Sequence, residues 1–174
     1  LASEEIGRSQ VCVETLARLG GLEASRLLMG AFWHKERSLQ RDIVAALQRI
    51  SGPEAEPFFL DILDRHEDGT VLKSALQYLG TRMRFEDAGE KVFSLLSHPY
   101  DDVKEAALES CIATNAPGLN DYFRERARHT DAVQRMMAVY ALGRLDPAGN
   151  FDLLKNALDD ENPDVRRMAL EATD

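Results

Sequence analysis

Pairs of a small and an aliphatic residue recur along the whole chain. Between Asn162 and Ala172, the small residue Ala169 directly precedes the aliphatic residue Leu170. Equivalent aliphatic positions lie upstream at intervals of 31, 29, 32, 31 and 31 residues: Leu16, Leu47, Leu76, Leu108, Val139 and Leu170. A fixed period in this range indicates an array of helical repeats.

The hydrophobic period predicts helices throughout and no strand, because no segment alternates with a period of two. Residues 1–7 are polar, and we expect a frayed end or the tail of a missing helix there. Asp131 and Asn162 are predicted N-caps, as is Asp101 or Asp102, and Pro163 suits a first helical position. The predicted helices are 8–19, 22–34, 38–50, 54–65, 70–79, 85–96, 102–113, 119–128, 132–145, 151–158 and 163–173.

A stripe of small and aliphatic residues predicts how the helices stack. The positions one before and three after the repeat aliphatic residue fall on one helix face, and no single helix pair could bury that face alone. The position before it is alanine in five repeats: Ala46, Ala75, Ala107, Ala138 and Ala169. Cys12 and Cys111 both lie on apolar positions. We expect both to be buried, and too far apart to form a disulfide.

The recurring pattern Asp-x-Val-Arg-x-x-Ala-Leu-x-Ala, with its period near 31, resembles the HEAT repeats, in particular the short type first noted in phycobilin lyases. It is clearest in DVKEAALESC (102–111), VQRMMAVYALGRL (133–145) and DVRRMALEA (164–172). The resemblance implies an all-α, right-handed α-solenoid of about five HEAT-like helix pairs plus a partial N-terminal unit. Its second helices would line the concave side. We expect residues 1–174 to form a single repeat array that is part of a longer chain.

Basic residues stand four positions before the repeat aliphatic residue in the last three repeats: Lys104, Arg135 and Arg166. Earlier repeats carry apolar residues there, so this position points toward the stack and a charge in it needs a partner. The candidates are carboxylates at the start of the same helices: Asp102, Asp131 and Asp164. HEAT-like families show a similar series of Asp and Arg residues between adjacent repeats, which we call the ladder. A structural ladder with Arg135 buried is therefore favoured over an anion-binding site.

A second set of equivalent positions lies three residues before and one residue after the repeat aliphatic residue. Side chains at these positions project away from the packing stripe. In the later repeats this set contains Lys73, Gln77, Glu105, Glu109, Met136, Tyr140, Arg167 and Glu171. Two interpretations are equally open: a solvated face, or a partner-binding groove. Met and Tyr are enriched at interfaces and would form an apolar anchor, and the glutamates would favour a partner with basic residues.

Net charge narrows the range of partners. The 174 residues carry a formal charge of −9, which repels phosphate backbones and anionic lipids. We therefore expect no nucleic-acid or membrane partner. The two cysteines, expected to be unpaired, are compatible with a reducing compartment, and we expect a cytoplasmic location. His66 and Glu67 occur once, outside the register of the metal-binding His-Glu pairs in deoxyhypusine hydroxylase, an enzyme with similar repeats. His34, His98 and His129 are predicted to end first helices, where a cation is favourable.

The sequence predicts no catalytic residue, metal site or cofactor. The leading hypothesis is a non-catalytic protein–protein interaction scaffold that binds a protein or peptide on its concave face. The alternative, suggested by the resemblance alone, is a phycobilin-lyase-like subunit acting on a bilin and a protein acceptor. The oligomeric state stays open.

Overall fold

A computed structural model describes residues 2–82, 85–114 and 118–173 of the chain. The chain divides into two compact units, which we call unit 1 (Leu1–Ser110) and unit 2 (Cys111–Asp174). All the regular structure in the described part is helical. The elements are α1 Ala2–Leu19, α2 Gly21–Phe32, α3 Arg37–Ile50, a 3-10 turn Pro53–Ala55, α4 Glu56–Arg65, α5 Gly69–Gly80, α6 Phe85–Leu95, α7 Asp101–Thr114, α8 Leu119–Arg126, α9 Ala132–Leu145, α10 Phe151–Ala157 and α11 Pro163–Thr173.

Helices pack as pairs within each unit, and their second helices pack on one another. In unit 1, α2 packs on α3 and α4 on α5, while α3 also contacts α1 and α5. In unit 2, α8 packs on α9 and α10 on α11, and α9 contacts α11 most extensively. Hydrogen bonds between neighbouring repeats join residues 25 to 32 positions apart, as in the pairs Arg135–Asp160 and Gln10–Asp42. The predicted all-α helical-repeat fold is confirmed.

The alanine stripe lies in the core of each unit. Ala75, Ala107, Ala138 and Ala169 are fully buried. A methyl group added at Gly143 of α9 would lie 2.5 Å from the Cβ atom of Ala172 of α11, so the two helices approach closely here. Small residues at these positions therefore permit the stacking of the second helices.

Two predictions at the N-terminus are wrong. The chain is already helical from Ala2, where a frayed end or helix tail was expected. Cys12 is exposed, whereas Cys111 is buried as expected, and both are free thiols.

Candidate functional site

The turns before the second helices share one hydrogen bond. A side chain ten positions before the repeat aliphatic residue accepts the backbone N–H of the residue two positions further along. His66, His98 and His129 use Nδ1, at 3.0, 3.2 and 3.0 Å from the amides of Asp68, Tyr100 and Asp131, and Asp160 uses Oδ1, at 2.8 Å from that of Asn162. Nδ1 can accept only when it carries no proton, so this hydrogen bond favours the neutral imidazole at His66 and His98.

This geometry corrects the expectation that His98 acts as a cation at a helix end. Burial lowers the pKa of His66, and it also lowers the pKa of His98, so both favour the neutral form. His66 is tied on its other side as well, because its Nε2 lies 3.1 Å from Oε1 of Gln40 in α3. The amide of Gln40 donates in turn to the carbonyl of Phe32.

Caps follow directly after these acceptors. Asp131 accepts the amide of Val133 at 3.0 Å, and Asn162 accepts that of Asp164 at 2.9 Å, so both predicted N-caps are confirmed. Asp68 caps α5 in the same register, although the sequence analysis did not select it. Asp101 and Asp102 lie inside the first turn of α7.

Arg135 joins the two repeats of unit 2. It is 7% exposed, and its Nη1 donates to the carbonyls of His129 and Thr130, both at 2.9 Å. Its Nε and Nη2 bind the two carboxylate oxygens of Asp160 at 2.8 and 2.9 Å, and Nη2 also reaches Glu161 at 3.1 Å. The hydrogen bond from Arg135 holds the pKa of the Asp160 carboxyl below its usual range.

The partners expected for the basic ladder need correction. Arg135 binds Asp160 and Glu161 rather than Asp131, because the carboxylate of Asp131 is engaged in capping α9. Lys104 pairs with Asp101 at 2.7 Å rather than with Asp102. Asp102 lies 3.9 Å from Lys73, and Asp164 pairs with Arg167 at 3.2 Å. Arg166 donates to the backbone carbonyls of Asp160 and Glu161 instead of to Asp164.

We call an arginine–carboxylate pair that connects two neighbouring repeats a joint. Unit 1 contains one that the sequence analysis did not predict. Arg41 of α3 binds both carboxylate oxygens of Asp68, with the shortest contact at 2.6 Å. The hydrogen bond from Arg41 is the main cause that lowers the pKa of the Asp68 carboxyl. A signal exists in the sequence: an arginine early in one second helix precedes the N-cap aspartate of the next by 27 positions.

In unit 1, polar side chains of neighbouring second helices are linked across the surface. Gln48 of α3 donates to Oε1 of Gln77 at 3.3 Å and to the carbonyl of Ser74 at 2.9 Å. Beside Gln48, a cavity of about 570 Å³ opens between α1 and α3, and its lining includes Glu14, Asp42 and Arg49. Glu105 and Glu109 follow on α7 and are exposed and half-buried, respectively. We call these residues the unit 1 surface: Glu14, Asp42, Gln48, Arg49, Lys73, Gln77, Glu105 and Glu109.

In unit 2 the equivalent positions carry a different chemistry. Met136 and Tyr140 are half-buried one turn apart on α9. Arg144 donates to the Tyr140 hydroxyl at 2.6 Å, with its guanidinium carbon 5.5 Å from the ring centre. Arg167 and Glu171 of α11 are exposed. We call Met136, Tyr140, Arg167 and Glu171 the unit 2 surface.

Within residues 2–82, 85–114 and 118–173, no group of three or more His, Cys, Asp or Glu side chains could hold a metal ion. No helix in this described part of the chain has the length and apolarity needed to cross a membrane.

Comparison with known proteins places this fold among helical repeats. Residues 89–173 match the family model of HEAT repeats. No curated protein matches the chain. An engineered protein from a structural genomics consortium is similar with a TM-score of 0.52 and 18% identity, over 95% of this chain and 87% of that one. A designed armadillo repeat protein in complex with the peptide (KR)4 is similar with a TM-score of 0.56 and 15% identity, over 99% and 94%. At these identities the likeness shows the fold alone.

Proposed function

We propose that this chain, whose residues 89–173 match the family model of HEAT repeats, is a non-catalytic scaffold for protein interactions. Its partner-binding side chains are those of the unit 1 surface and the unit 2 surface. Rigid helices present them at repeating intervals, so that an extended peptide or a partner helix laid across one surface meets them in order.

The observation that carries the proposal is the charge of the unit 1 surface. It bears four carboxylates, Glu14, Asp42, Glu105 and Glu109, against two cations, Arg49 and Lys73. Lys73 is in addition partly neutralised by a nearby carboxylate of α7. A partner with a run of Lys and Arg would be attracted to this surface and held in register by it. The designed armadillo repeat protein that is similar in fold was solved with a peptide of this composition.

The unit 2 surface offers an apolar contact, in contrast to the charged unit 1 surface. Met136 is flexible and half-buried, and the ring of Tyr140 is held in place by Arg144. A pre-positioned aromatic ring costs little conformational entropy on binding, and Tyr is enriched among the residues that dominate binding energy. We propose Met136 and Tyr140 as the anchor for an apolar side chain of a protein partner.

The charge of the unit 1 surface can be tested with a labelled octapeptide of four Lys-Arg pairs. We expect the double variant Glu14→Gln and Glu105→Gln to bind it about fivefold more weakly in a fluorescence anisotropy titration at low salt, because two attractive charges are lost. The matched control is Glu23→Gln with Glu67→Gln, which removes two exposed carboxylates outside the surface. Equal weakening by both double variants would mean attraction by net charge alone, and absence of binding to the parent chain would refute the basic-partner class.

The apolar anchor requires a separate test. We expect the double variant Met136→Ala and Tyr140→Ala to keep the helical circular dichroism and melting temperature nearly unchanged, since both side chains point away from the packing stripe. Its binding to a partner recovered by pull-down should fall at least about tenfold if these residues are energetic hot spots. Unchanged affinity would remove Met136 and Tyr140 from the binding surface.

A further inference from the structure

The cavity between α1 and α3, which we call the α1–α3 cavity, has a volume of about 570 Å³. Ala17 of α1 and Ala45 and Ala46 of α3 contribute small side chains to its lining. Between α3 and α5, in contrast, a long side chain bridges the two second helices, because Gln48 donates to the carbonyl of Ser74 at 2.9 Å. Small residues therefore keep open, between α1 and α3, a space that a glutamine crosses in the next repeat.

The base and the opening of the α1–α3 cavity differ in chemistry. Among its lining residues, Val13 and Ala46 are buried, whereas Glu14 of α1 and Asp42 of α3 are exposed. The side-chain amide of Gln10 donates to Oδ2 of Asp42 at 3.3 Å and holds this carboxylate beside α1. The cavity thus combines an apolar base with two carboxylates at its opening, one from each helix.

The cation of the lining stands away from the Asp42 end. Arg49 follows Asp42 by seven positions of α3, so the two residues are about 10 Å apart along the helix axis. Two carboxylates against one guanidinium leave the lining with an excess of negative charge. Such a site attracts a cationic group to the end that holds the carboxylates.

The α1–α3 cavity is independent of the outer side of α1. Both of its walls are helices of the described chain. Leu19, which is 75% exposed, and Cys12 lie on the opposite side of α1 from Gln10 and Glu14. A further repeat stacked on that side would leave the cavity open.

Building on the proposed function, we propose that the α1–α3 cavity binds one arginine side chain of the basic partner. The aliphatic stem of arginine lies on the apolar base, as long cationic side chains do on apolar surfaces. Its planar guanidinium carries five N–H donors, so it reaches the carboxylates of Glu14 and Asp42 on two different helices, which the compact charge of lysine does less well. The volume falls within the range of about 300–1,000 Å³ that is typical of small-molecule sites, so the adjoining peptide backbone is admitted as well.

Two octapeptides of equal charge test the preference for arginine. In one, the lysines of the Lys-Arg octapeptide are acetylated, so that only its arginines are charged. In the other, the arginines are replaced by the neutral isostere citrulline, so that only its lysines are charged. We expect the arginine form to bind about fivefold more tightly in a fluorescence anisotropy titration. Attraction by surface charge alone would give equal affinities, and that result would overturn the proposal.

A variant that fills the cavity shows whether the preference arises there. Ala45→Leu adds volume without changing charge and should abolish most of the preference for the arginine form. Circular dichroism and the melting temperature should stay near those of the parent, because Ala45 is exposed. Ala113→Leu, at an exposed position of α7 outside the cavity, is the matched control and should retain the preference. Loss of the preference in both variants, or in neither, would overturn the assignment to the cavity.

The sign of the occupant's charge is tested by a second variant. Arg49→Gln removes the cation of the lining and should raise the affinity for the arginine form about twofold at low salt, because repulsion is relieved. A weaker affinity would assign the cavity to an anionic group and overturn the proposal.

A last measurement separates this inference from the proposed function. Capped arginine, acetylated at its amino end and methylamidated at its carboxyl end, should shift the amide signals of Ala45 and Ala46 saturably in nuclear magnetic resonance spectra, and capped citrulline should not. Such shifts without binding of the Lys-Arg octapeptide would refute the scaffold for basic peptides and leave the cavity as an arginine site. Binding of the octapeptide without these shifts, and without an effect of Ala45→Leu, would overturn the cavity and leave the proposed function standing.

Discussion

The two units join successive repeats by the same chemistry placed differently. In unit 2, Arg135 and Asp160 are both shielded, with side chains 9% and 13% exposed. In unit 1, the Arg41 side chain is 50% exposed, whereas its partner Asp68 is 5% exposed. Both joints tie a second helix to the turn before the next one. The joints differ in which side chains are buried. In unit 2 both the arginine and the aspartate are buried, whereas in unit 1 only the aspartate is buried.

This difference determines which residue each joint can lose. Water screens an ion pair whose arginine is exposed, so the pair of Arg41 contributes less than that of the buried Arg135. Arg135 also donates to the carbonyls of His129 and Thr130, which lose their donor when it is removed. In unit 1, Asp68 also accepts the amides of Thr70 and Val71, so these bonds remain when Arg41 is removed. The unit 2 joint should therefore be the less tolerant of the two.

The largest effect is expected from Arg135→Ala. It leaves Asp160 without its cation and frees the carbonyls of His129 and Thr130 together. We expect the melting temperature to fall by about 5 °C or more in a circular dichroism scan. Arg41→Ala in unit 1 should lower it distinctly less, and equal losses would contradict the distinction between the two joints.

A smaller difference is expected between the caps. Asp131→Ala removes a cap with one hydrogen bond and should cost about 1 kcal/mol. Asp68→Ala removes a cap with two hydrogen bonds and also the partner of Arg41, so its urea midpoint should be lower than that of Asp131→Ala. In the background of Arg41→Ala, the two aspartate variants should become more alike. If the difference in urea midpoint between the two aspartate variants is the same in the Arg41→Ala background, Arg41 adds nothing to the unit 1 joint.

The smallest effect is a pH dependence located in unit 1. Burial lowers the pKa of His66, so the folded state favours the neutral imidazole. Its contribution is complete above the unfolded pKa of about 6.5 and is lost as the pH falls through that value toward the folded pKa. The melting temperature should thus decrease from pH 7.5 to pH 5.5. His66→Gln should flatten this slope, whereas His34→Gln, an exposed control, should retain it. Identical slopes in both variants would exclude His66 as the cause.

His66 and Asp68, which lie in the same turn before α5, should respond at different pH. The pKa of the Asp68 carboxyl is lowered, so its contribution is present above the unfolded value and is lost only at more acid pH. His66 therefore weakens first on acidification, before Asp68 is protonated.

Helix positions could be predicted where a capping signal coincides with the hydrophobic period. The bounds of α9 and α11 match the prediction because Asp131 and the Asn162–Pro163 pair mark their starts. α5 begins one residue before the predicted helix 70–79, at Gly69, because Asp68 caps it. Asp68 was not selected as a cap, so the start of this helix was less well predicted.

The joints themselves were harder to predict than the helices. The column of basic residues indicated that Arg135 needs a partner, but Asp160 belongs to no column of like residues. Arg41 was missed because it stands two positions earlier in its repeat than Arg135. The role of the histidines depends on the backbone path of a three-residue turn, which a hydrophobic period does not describe. That the residues of the unit 1 surface and the unit 2 surface bind a partner stays a prediction.

The spacing of the hydrogen bonds between repeats has a consequence for folding kinetics. These bonds close loops of 25 to 32 residues, so each joint requires a similar and modest loop-closure entropy. Contact order within a unit therefore stays low as repeats are added, which is associated with fast folding. A terminal helix pair can open and close while the interior stays protected from amide hydrogen exchange. Exchange protection should accordingly be graded along each unit, from its ends to its middle.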